Sequence, residues 1–342
     1  MLLFLHSIAH LLVDAVCAAA LFGPLRGPDE EFTRLILLYN TLAFSTQCLV
    51  GLAADRLGKD RFLAPAGMLT VVLGFALPLP AVLRVILIGL GNSAFHVGGG
   101  IETLRSGRGK AAHLGVFVAP GAIGLTLGTL YPACGPLAAA LLALTAAALL
   151  WTKPAERAPE ASPAVPAEPV RSRRLEAAIV LLTAAVAVRA VGGAGVSYPW
   201  KTAPIHAALI TLFVFAGKTA GGFVCDRLGP SRSAWLSIPL AAALITFCAG
   251  WMIPSLLGQF ALNLTMPITL WLLFRAMPDS PGFAFGLAAS ALWPGTIAGQ
   301  AISLTGSARW ILLLTCFLFG LLAVLYAVSA LKRSNDRKES SQ

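Results

Sequence analysis

The sequence predicts an all-α integral membrane protein whose twelve transmembrane helices form two pseudo-symmetric six-helix bundles. The first observation is composition: the 342-residue chain is 57% apolar and only 12% charged, whereas soluble domains carry about 25% charged residues. The second is that apolar runs of about 20 residues, the length that crosses a bilayer as a helix, recur along the chain. The third is that the second half repeats a loop motif of the first half.

The apolar runs predict twelve spans, and most of the loops between them are short. In chain order the spans cover residues 2–23, 33–53, 62–79, 82–103, 112–131, 133–151, 175–196, 203–224, 233–252, 254–276, 282–304 and 308–331. The exception among the loops is residues 152–174, whose proline, alanine and charged residues are typical of an extended or disordered linker. We therefore expect an N-terminal bundle over residues 1–151, a C-terminal bundle over residues 175–332 and a tail over residues 333–342.

The basic residues predict the orientation of the chain. Lysine and arginine collect on one side of the predicted bundles, whereas the other side has only Arg26, Arg34, Lys201 and Arg309 in or near its loops. By the positive-inside rule, both termini and the linker lie in the cytoplasm, and the protein lies in the inner (plasma) membrane. The formal charge of +10 is therefore interpreted as topology and not as a nucleic-acid interface. The six cysteines show no disulfide or zinc spacing, so no such site is expected.

The two halves share a loop motif. GLAADRLGKDR at residues 51–61 and GFVCDRLGPSR at residues 222–232 align at an offset of 171 and match at six of eleven positions. Each copy follows the second span of its half. Duplicated bundles with a ligand site between them at the middle of the membrane are typical of secondary transporters.

This motif resembles the best-known motif of the major facilitator superfamily, Gly-x-x-x-Asp-Arg-x-Gly-x-x-Arg. The matching residues are Gly51, Asp55, Arg56, Gly58 and Arg61 in the first copy and Gly222, Asp226, Arg227, Gly229 and Arg232 in the second. The resemblance covers nearly the whole chain and implies the major facilitator fold, in which the motif residues act as conformational latches.

The resemblance also implies contacts for the acidic residues of the gate. Glu102 would pair with Arg56 or Lys59 at the cytoplasmic end. Asp55 would cap the amino end of the eleventh span near Gly282, because a helix amino terminus favours an anion. By symmetry, Asp226 would lie against the start of the fifth span.

A narrower resemblance points to proton-coupled export. GLGNSAFH at residues 89–96, together with HLLVD at residues 10–14, is similar to the fosmidomycin-resistance branch of the superfamily, whose members are proton-coupled exporters. After His96 that branch tends to continue with proline and an acidic residue, whereas this chain continues with valine and three glycines. The substrate of the branch is therefore not carried over.

The first span carries ionisable residues at helical spacing. His6, His10 and Asp14 are four residues apart, so they share one stripe of the helix. An acid at membrane depth is costly unless it is paired or faces water, and it marks function by default. We assign Asp14 as the proton carrier and His10 as its modulator, since histidine titrates near neutral pH. For Asp14 a structural hydrogen bond is the alternative. The stripe could also bind a metal, but no further cluster completes a site, so none is predicted.

Further polar residues predict the substrate cavity. They are His6, Asn40, Asn92, His96, Arg189, Asn263 and Trp293. Arg189 is expected to meet an anionic group or Asp14 across the cavity, with interface snorkelling as the alternative. His96 is either a cavity residue or a packing histidine. Lys218 is expected near the inner face, where its long side chain can snorkel.

These features together predict a secondary active transporter that works by alternating access. It is expected to export a small organic molecule in exchange for protons, with an anionic or zwitterionic substrate favoured over a cationic drug. We expect a monomer in the lipid bilayer, not an enzyme, with no cofactor and no nucleic-acid partner. One alternative is a proton-coupled importer or facilitator of a small metabolite. The other is an intramembrane transferase or hydrolase, against which the duplicated gate motif argues.

Overall fold

The computed structural model describes residues 1–58, 60–107, 109–152, 172–302 and 304–339, and within them it consists of helices and connecting loops. The α-helices are α1 (Leu2–Phe22), α2 (Asp29–Asn40), α3 (Gln47–Leu57), α4 (Leu63–Ala76), α5 (Ala81–Ser106), α6 (Ala111–Val118), α7 (Pro120–Leu130), α8 (Gly135–Trp151), α9 (Arg173–Ala194), α10 (Pro204–Leu228), α11 (Pro230–Phe247), α12 (Met252–Ala276), α13 (Pro281–Ala301) and α14 (Gly306–Glu339). A π-helical segment, Thr41–Ser45, joins α2 to α3. Ala119 joins α6 to α7.

These helices form the twelve predicted spans, because α2 with α3 and α6 with α7 each make one span. Nine spans in the described part of the chain are long and apolar enough to cross a membrane. The other three are α4, α11 and α13, which have 14, 18 and 21 residues. The multi-pass, all-α prediction is therefore confirmed. Lys59 and linker residues 153–171 lie outside the described residues, and the bounds of the two bundles remain a prediction.

The outer surface of the helices is apolar, as a lipid-facing surface requires. Leu49, Leu137, Leu144 and Val180 are each about two-thirds exposed. A soluble protein rarely exposes apolar surface on this scale. Polar side chains, by contrast, are found in the interior. Gln47, for example, is fully buried. The candidates for a functional site are therefore the polar and charged side chains of the interior.

In the first half, α7 packs closely on α1 through Gly124 and Gly128. A Cβ atom at Gly124 would collide with the backbone carbonyl of Leu11, and one at Gly128 would collide with that of Ala15. Small residues four positions apart allow two helix backbones to approach in a membrane. The glycine pair therefore fixes which face of α1 is turned toward α7.

In the second half, α13 packs on α9 through Gly295 and Gly299 in the same manner. Their Cβ atoms would collide with the carbonyls of Ala187 and Val191. Both glycines follow those of α7 by 171 residues, which is the offset of the loop motif. The internal repeat thus extends from the loops into the helix crossings.

The two halves press together at the end of the helices where both motif loops lie, which we call the motif side. A Cβ at Gly51 would collide with the backbone of Gly282, and one at Gly222 would collide with that of Ala111. One turn deeper, Gly286 packs against the carbonyl of Gln47, and Gly115 of α6 packs against that of Lys218 in the same way. The motif side of this structure is therefore closed by backbone contacts.

Candidate functional site

Asp55 lies at the amino end of α13. Its carboxylate accepts hydrogen bonds from the backbone N–H groups of Gly282 at 2.9 Å and Phe283 at 2.7 Å. The first N–H groups of a helix have no partner within the helix and carry partial positive charge, so they favour an anion. This is the contact that the superfamily resemblance implies, and its role as a latch remains a prediction.

Asp226 makes the matching contact in the other direction. It accepts hydrogen bonds from the N–H groups of Ala111 at 2.8 Å and Ala112 at 3.0 Å at the start of α6. Each half therefore offers an acid to a helix amino terminus of the other half. The two contacts differ in environment, since Asp55 is partly buried and Asp226 is exposed.

The buried Glu102 lies beside Arg105, whose Nη1 is 3.8 Å from Oε1. Arg105 also forms an ion pair with the buried Asp60. The sequence suggested Arg56 or Lys59 as the partner of Glu102, but Arg56 is exposed and Lys59 lies outside the described residues. Arg105 lies one helical turn after Glu102 on α5 and is therefore close to it. The pairing of Glu102 with Arg56 or Lys59 remains a prediction.

The remaining basic residues of the motif do not line the central cavity that is described below. Arg61 donates to the carbonyl of Leu150 at 3.3 Å. Arg227 and Arg232 are exposed on the motif side. Gly58 ends α3 with a φ of 64° and Gly229 precedes α11 with a φ of 80°, conformations that glycine adopts without strain.

A central cavity of about 420 Å³ lies between the halves. Among the predicted residues, it is lined by His10, Asp14, His96 and Arg189. Lys218 also lines it, although the sequence did not predict this lysine as a cavity residue. The tight contact of α10 with Gly115 of α6 turns Lys218 toward the interface of the halves.

His10, Asp14 and His96 form a compact cluster, which we call the triad. The Nε2 atoms of the two histidines are 2.9 Å apart. Asp14 Oδ2 lies 3.4 Å from Nε2 of His10, and Oδ1 lies 3.8 Å from Nε2 of His96. α1 and α5 therefore bring together residues that the sequence assigned to different roles, since His96 was predicted as a substrate residue only.

The hydrogen bonds of the two histidines determine where their protons lie. Nδ1 of His10 is 2.8 Å from the carbonyl of Phe117, and Nδ1 of His96 is 2.9 Å from that of Asn92. A carbonyl only accepts, so both Nδ1 atoms carry hydrogen. In their neutral forms both Nε2 atoms would then be bare, and two bare nitrogens at 2.9 Å repel. One added proton between them turns this contact into a hydrogen bond, and the carboxylate of Asp14 balances the charge.

Asn92 holds the triad from behind. Its side-chain amide donates to Oδ1 of Asp14 at 3.1 Å and lies 3.1 Å from the hydroxyl of Tyr39. On the opposite side, a Cβ atom at Gly121 would collide with His10 and Asp14. The absence of a side chain at Gly121 therefore provides the space that these two residues occupy.

The other residues predicted for the cavity lie away from its lining, and their polar atoms have hydrogen-bond partners elsewhere. His6 bonds the carbonyl of Leu2 at 3.0 Å, Asn40 that of Ile36 at 3.0 Å, and Asn263 that of Gln259 at 2.8 Å. Trp293 donates to the hydroxyl of Thr41 at 3.2 Å. Asn92 serves Asp14, as described above. His6 is therefore separated from the triad, although it shares the stripe of α1.

Donor atoms of the three triad residues lie within 4.8 Å of one another, a spacing that could also suit a metal ion. The expectation that no metal is bound remains a prediction, and a chelator control tests it below.

Sequence reasoning missed several residues at the interface of the halves. Ser290 of α13 donates to the carbonyl of Phe44 at 2.9 Å and accepts from the N–H of Cys48 at 3.0 Å. Phe44 belongs to the π-helical segment, and such segments often occur at functional sites. The repeat offset could have located a further one, because Lys218 of the cavity follows Gln47, another lining residue, by 171 residues.

Comparison with known proteins supports the fold. No protein-family model and no curated protein sequence matches the chain. Two solved structures are similar, a major facilitator superfamily transporter, FucP, in the outward conformation, and a variant of the E. coli fucose:proton symporter FucP. They give TM-scores of 0.68 and 0.67 at 12% identity, over 95% of this chain and 98% of each of theirs. The chain therefore has the major facilitator fold along nearly its whole length.

Proposed function

We propose that this membrane protein is a proton-coupled secondary transporter of the major facilitator superfamily that moves a small organic molecule by alternating access. The contact between His10 and His96 beside Asp14, on the wall of a cavity between two halves, is the observation that carries the proposal. It is a built site for one exchangeable proton. The protein acts as a monomer in the plasma membrane, with both termini in the cytoplasm, and is not an enzyme.

The mechanism follows from the closed motif side and the central cavity. The latches of Asp55 and Asp226 and the glycine contacts hold the motif side closed. When the halves rock, these contacts separate and the cavity opens on that side. The triad lies on α1 and α5, so its exposure alternates with that of the cavity, and a proton bound on one side is released on the other.

Several groups face the triad and set its response to pH. On the first half, they are Cys17 of α1, Tyr39 of α2 and Asn92 of α5. Across the cavity they are Lys218 and Arg189, and Lys218 interacts electrostatically with both Asp14 and Arg189. The charge of the triad is thus coupled to the charge of the opposite wall.

Export in exchange for protons is the first direction to test, because the fosmidomycin-resistance resemblance implies it. Import together with protons is the second candidate, and a specific observation favours it. One of the structurally similar proteins is described as a fucose:proton symporter. Both directions use the same triad and differ in the sign of the coupling.

The test is transport by purified protein in liposomes that contain a pH-sensitive dye. Organic phosphonates, carboxylates, sugars and cationic drugs are supplied in turn as gradients. We expect transport of at least one compound to drive a flow of protons. The protons should flow opposite to the compound in an exporter and in the same direction as the compound in an importer. Asp14→Asn and His96→Gln should abolish the proton movement while expression and melting temperature stay close to wild type.

A matched control is Asp29→Asn, which removes an exposed acid at the start of α2. It should leave proton movement unchanged, and so should a metal chelator. The proposal is overturned if wild-type protein moves compounds without protons, or if proton movement persists in Asp14→Asn.

A further inference from the structure

The cavity carries an excess of positive charge on one wall. Asp14 is its acidic lining residue, whereas Arg189 of α9 and Lys218 of α10 are both basic. Asp14 is already engaged by Asn92 and lies beside the two histidines. The basic wall therefore lacks a matching acid in the described part of the chain.

Arg189 is incompletely satisfied. Its Nε is buried and has no hydrogen-bond partner in the described structure. Arg84, another arginine within a span, donates instead to the carbonyls of Gly74 at 3.0 Å and Phe75 at 2.8 Å. A cation at membrane depth is costly unless it is paired or faces a water-filled cavity. The difference between the two arginines indicates that Arg189 is held for a partner that the protein itself does not supply.

Lys218 is poorly satisfied as well. Its Nζ lies 3.5 Å from the carbonyl of Val118, which is a long contact for an ammonium group. Arg189 and Lys218, on the same wall of the cavity, also repel each other. Like charges in a site of low dielectric raise the energy of the unliganded state, and an anion between them lowers it.

The rest of the lining limits the kind of anion. Apolar side chains that include Val118, Leu125, Val186, Met266, Phe285 and Leu292 cover much of the cavity. A volume of about 420 Å³ falls within the usual range for pockets that bind small molecules, roughly 300–1,000 Å³. An inorganic anion would leave this apolar surface uncovered, whereas the apolar body of an organic anion would cover it.

We propose that Arg189 and Lys218 bind the charged group of an amphipathic organic anion, a carboxylate or phosphonate, whose apolar body packs against the rest of the cavity. The guanidinium of arginine can donate two parallel hydrogen bonds to such a group, and the ammonium of lysine adds a point charge. That this anion is the transported substrate rests on the proposed function, whereas its binding does not.

The test measures binding to purified full-length protein by isothermal titration at about pH 7, where carboxylates are ionised. The probes are phenylacetate and phenylphosphonate, with neutral phenylacetamide as the matched control. We expect the two anions to bind and the amide to bind at least about tenfold more weakly, as for the loss of a charge-assisted hydrogen bond. Arg189→Gln and Lys218→Gln should each weaken anion binding by a similar factor.

Lys201→Gln removes an exposed lysine outside the cavity and should change nothing. If Arg189→Gln does not fold, Arg189→Lys keeps the charge but loses the paired donors, and it should still weaken binding. The proposal is overturned if the amide binds as well as phenylacetate, if neither anion binds, or if both cavity variants bind anions like wild type.

This experiment needs no proton gradient, so its outcome is independent of the transport assay. Anion binding that depends on Arg189, without proton movement, would overturn the proposed function alone. Proton-coupled transport of an uncharged compound, with no binding of either anion, would overturn the anion site alone.

Discussion

The first helices of the two halves, α1 and α9, hold equivalent positions but carry opposite charges. Each packs against a pair of glycines four residues apart, α1 against Gly124 and its partner, and α9 against Gly295 and its partner. Asp14 lies within the contacted stretch of α1, and Arg189 lies within the contacted stretch of α9. Both side chains line the same cavity from opposite sides.

The two charges differ in how far the protein satisfies them. Asp14 is held by Asn92 and lies beside two histidines, whereas Nε of Arg189 has no partner in the described structure. The internal repeat therefore gives the two helices the same packing, but the charged residue that lines the cavity differs between the halves. By the two proposals above, the wall with Asp14 binds a proton and the wall with Arg189 binds a ligand.

The largest loss of transport is expected at Gly121, which packs tightly against the triad. Gly121→Ala places a methyl group against His10 and Asp14 and displaces them. We expect proton-coupled flux to fall about a hundredfold, since small displacements of reacting groups have effects of that size. The measurement is the liposome assay, together with the melting temperature.

The matched control is Gly192→Ala on α9, where an added Cβ meets only Phe317 at 3.8 Å. It should retain most of the flux. Equal losses in the two variants would show that helix packing and not the triad is responsible.

A second comparison concerns the latches, which have equal hydrogen bonds but unequal burial. Asp55→Asn should weaken the closed motif side by about 1.5–3 kcal/mol, the range for hydrogen bonds to a charged group. Asp226→Asn should weaken it by less than about 1 kcal/mol, because solvent screens an exposed charge. Spin labels at Phe62 and Trp235, in a background without the six cysteines, report the separation of the halves on this side.

Asp29→Asn is again the control, because its carboxylate contacts only Arg26 of its own half among the ion pairs of the described residues. A larger opening in Asp226→Asn than in Asp55→Asn would contradict the burial argument.

The smallest expected effect links the two walls through pH. When the triad binds a proton, its negative charge no longer opposes an anion at Arg189 and Lys218. Phenylacetate should therefore bind several-fold more tightly at about pH 6 than at about pH 8, a coupling of roughly 1 kcal/mol. The Asp14→Asn variant should bind phenylacetate with a smaller dependence on pH. The dependence that remains would then be due to other groups such as Lys218.

Such mutual assistance moves the anion and the proton in the same direction, so a positive result would favour the import candidate. Tighter binding at the higher pH would instead support exchange and export.

The structure shows which sequence inferences depended on local properties. The spans follow from runs of apolar residues, because the length of a membrane helix is set by the bilayer and not by its neighbours. The contacts of Asp55 and Asp226 were expected because the repeated motif resembles that of a known superfamily, and the motif itself is a local pattern. Apolar runs and the motif can both be found within short stretches of the chain. The helix ends agree with the predicted spans to within five residues, except that α14 extends eight residues further than predicted.

Only the tertiary structure decided which side chains share the cavity. The stripe of His6, His10 and Asp14 was visible in the sequence, yet His6 is satisfied by its own helix and His96 of α5 takes its place. Lys218 lines the cavity beside Arg189, and this too could be seen only in the tertiary structure. The face that a helix turns toward the cavity is fixed by glycine contacts with helices distant in sequence. Hydropathy places a residue at a depth in the membrane, but only packing gives it a direction and a partner.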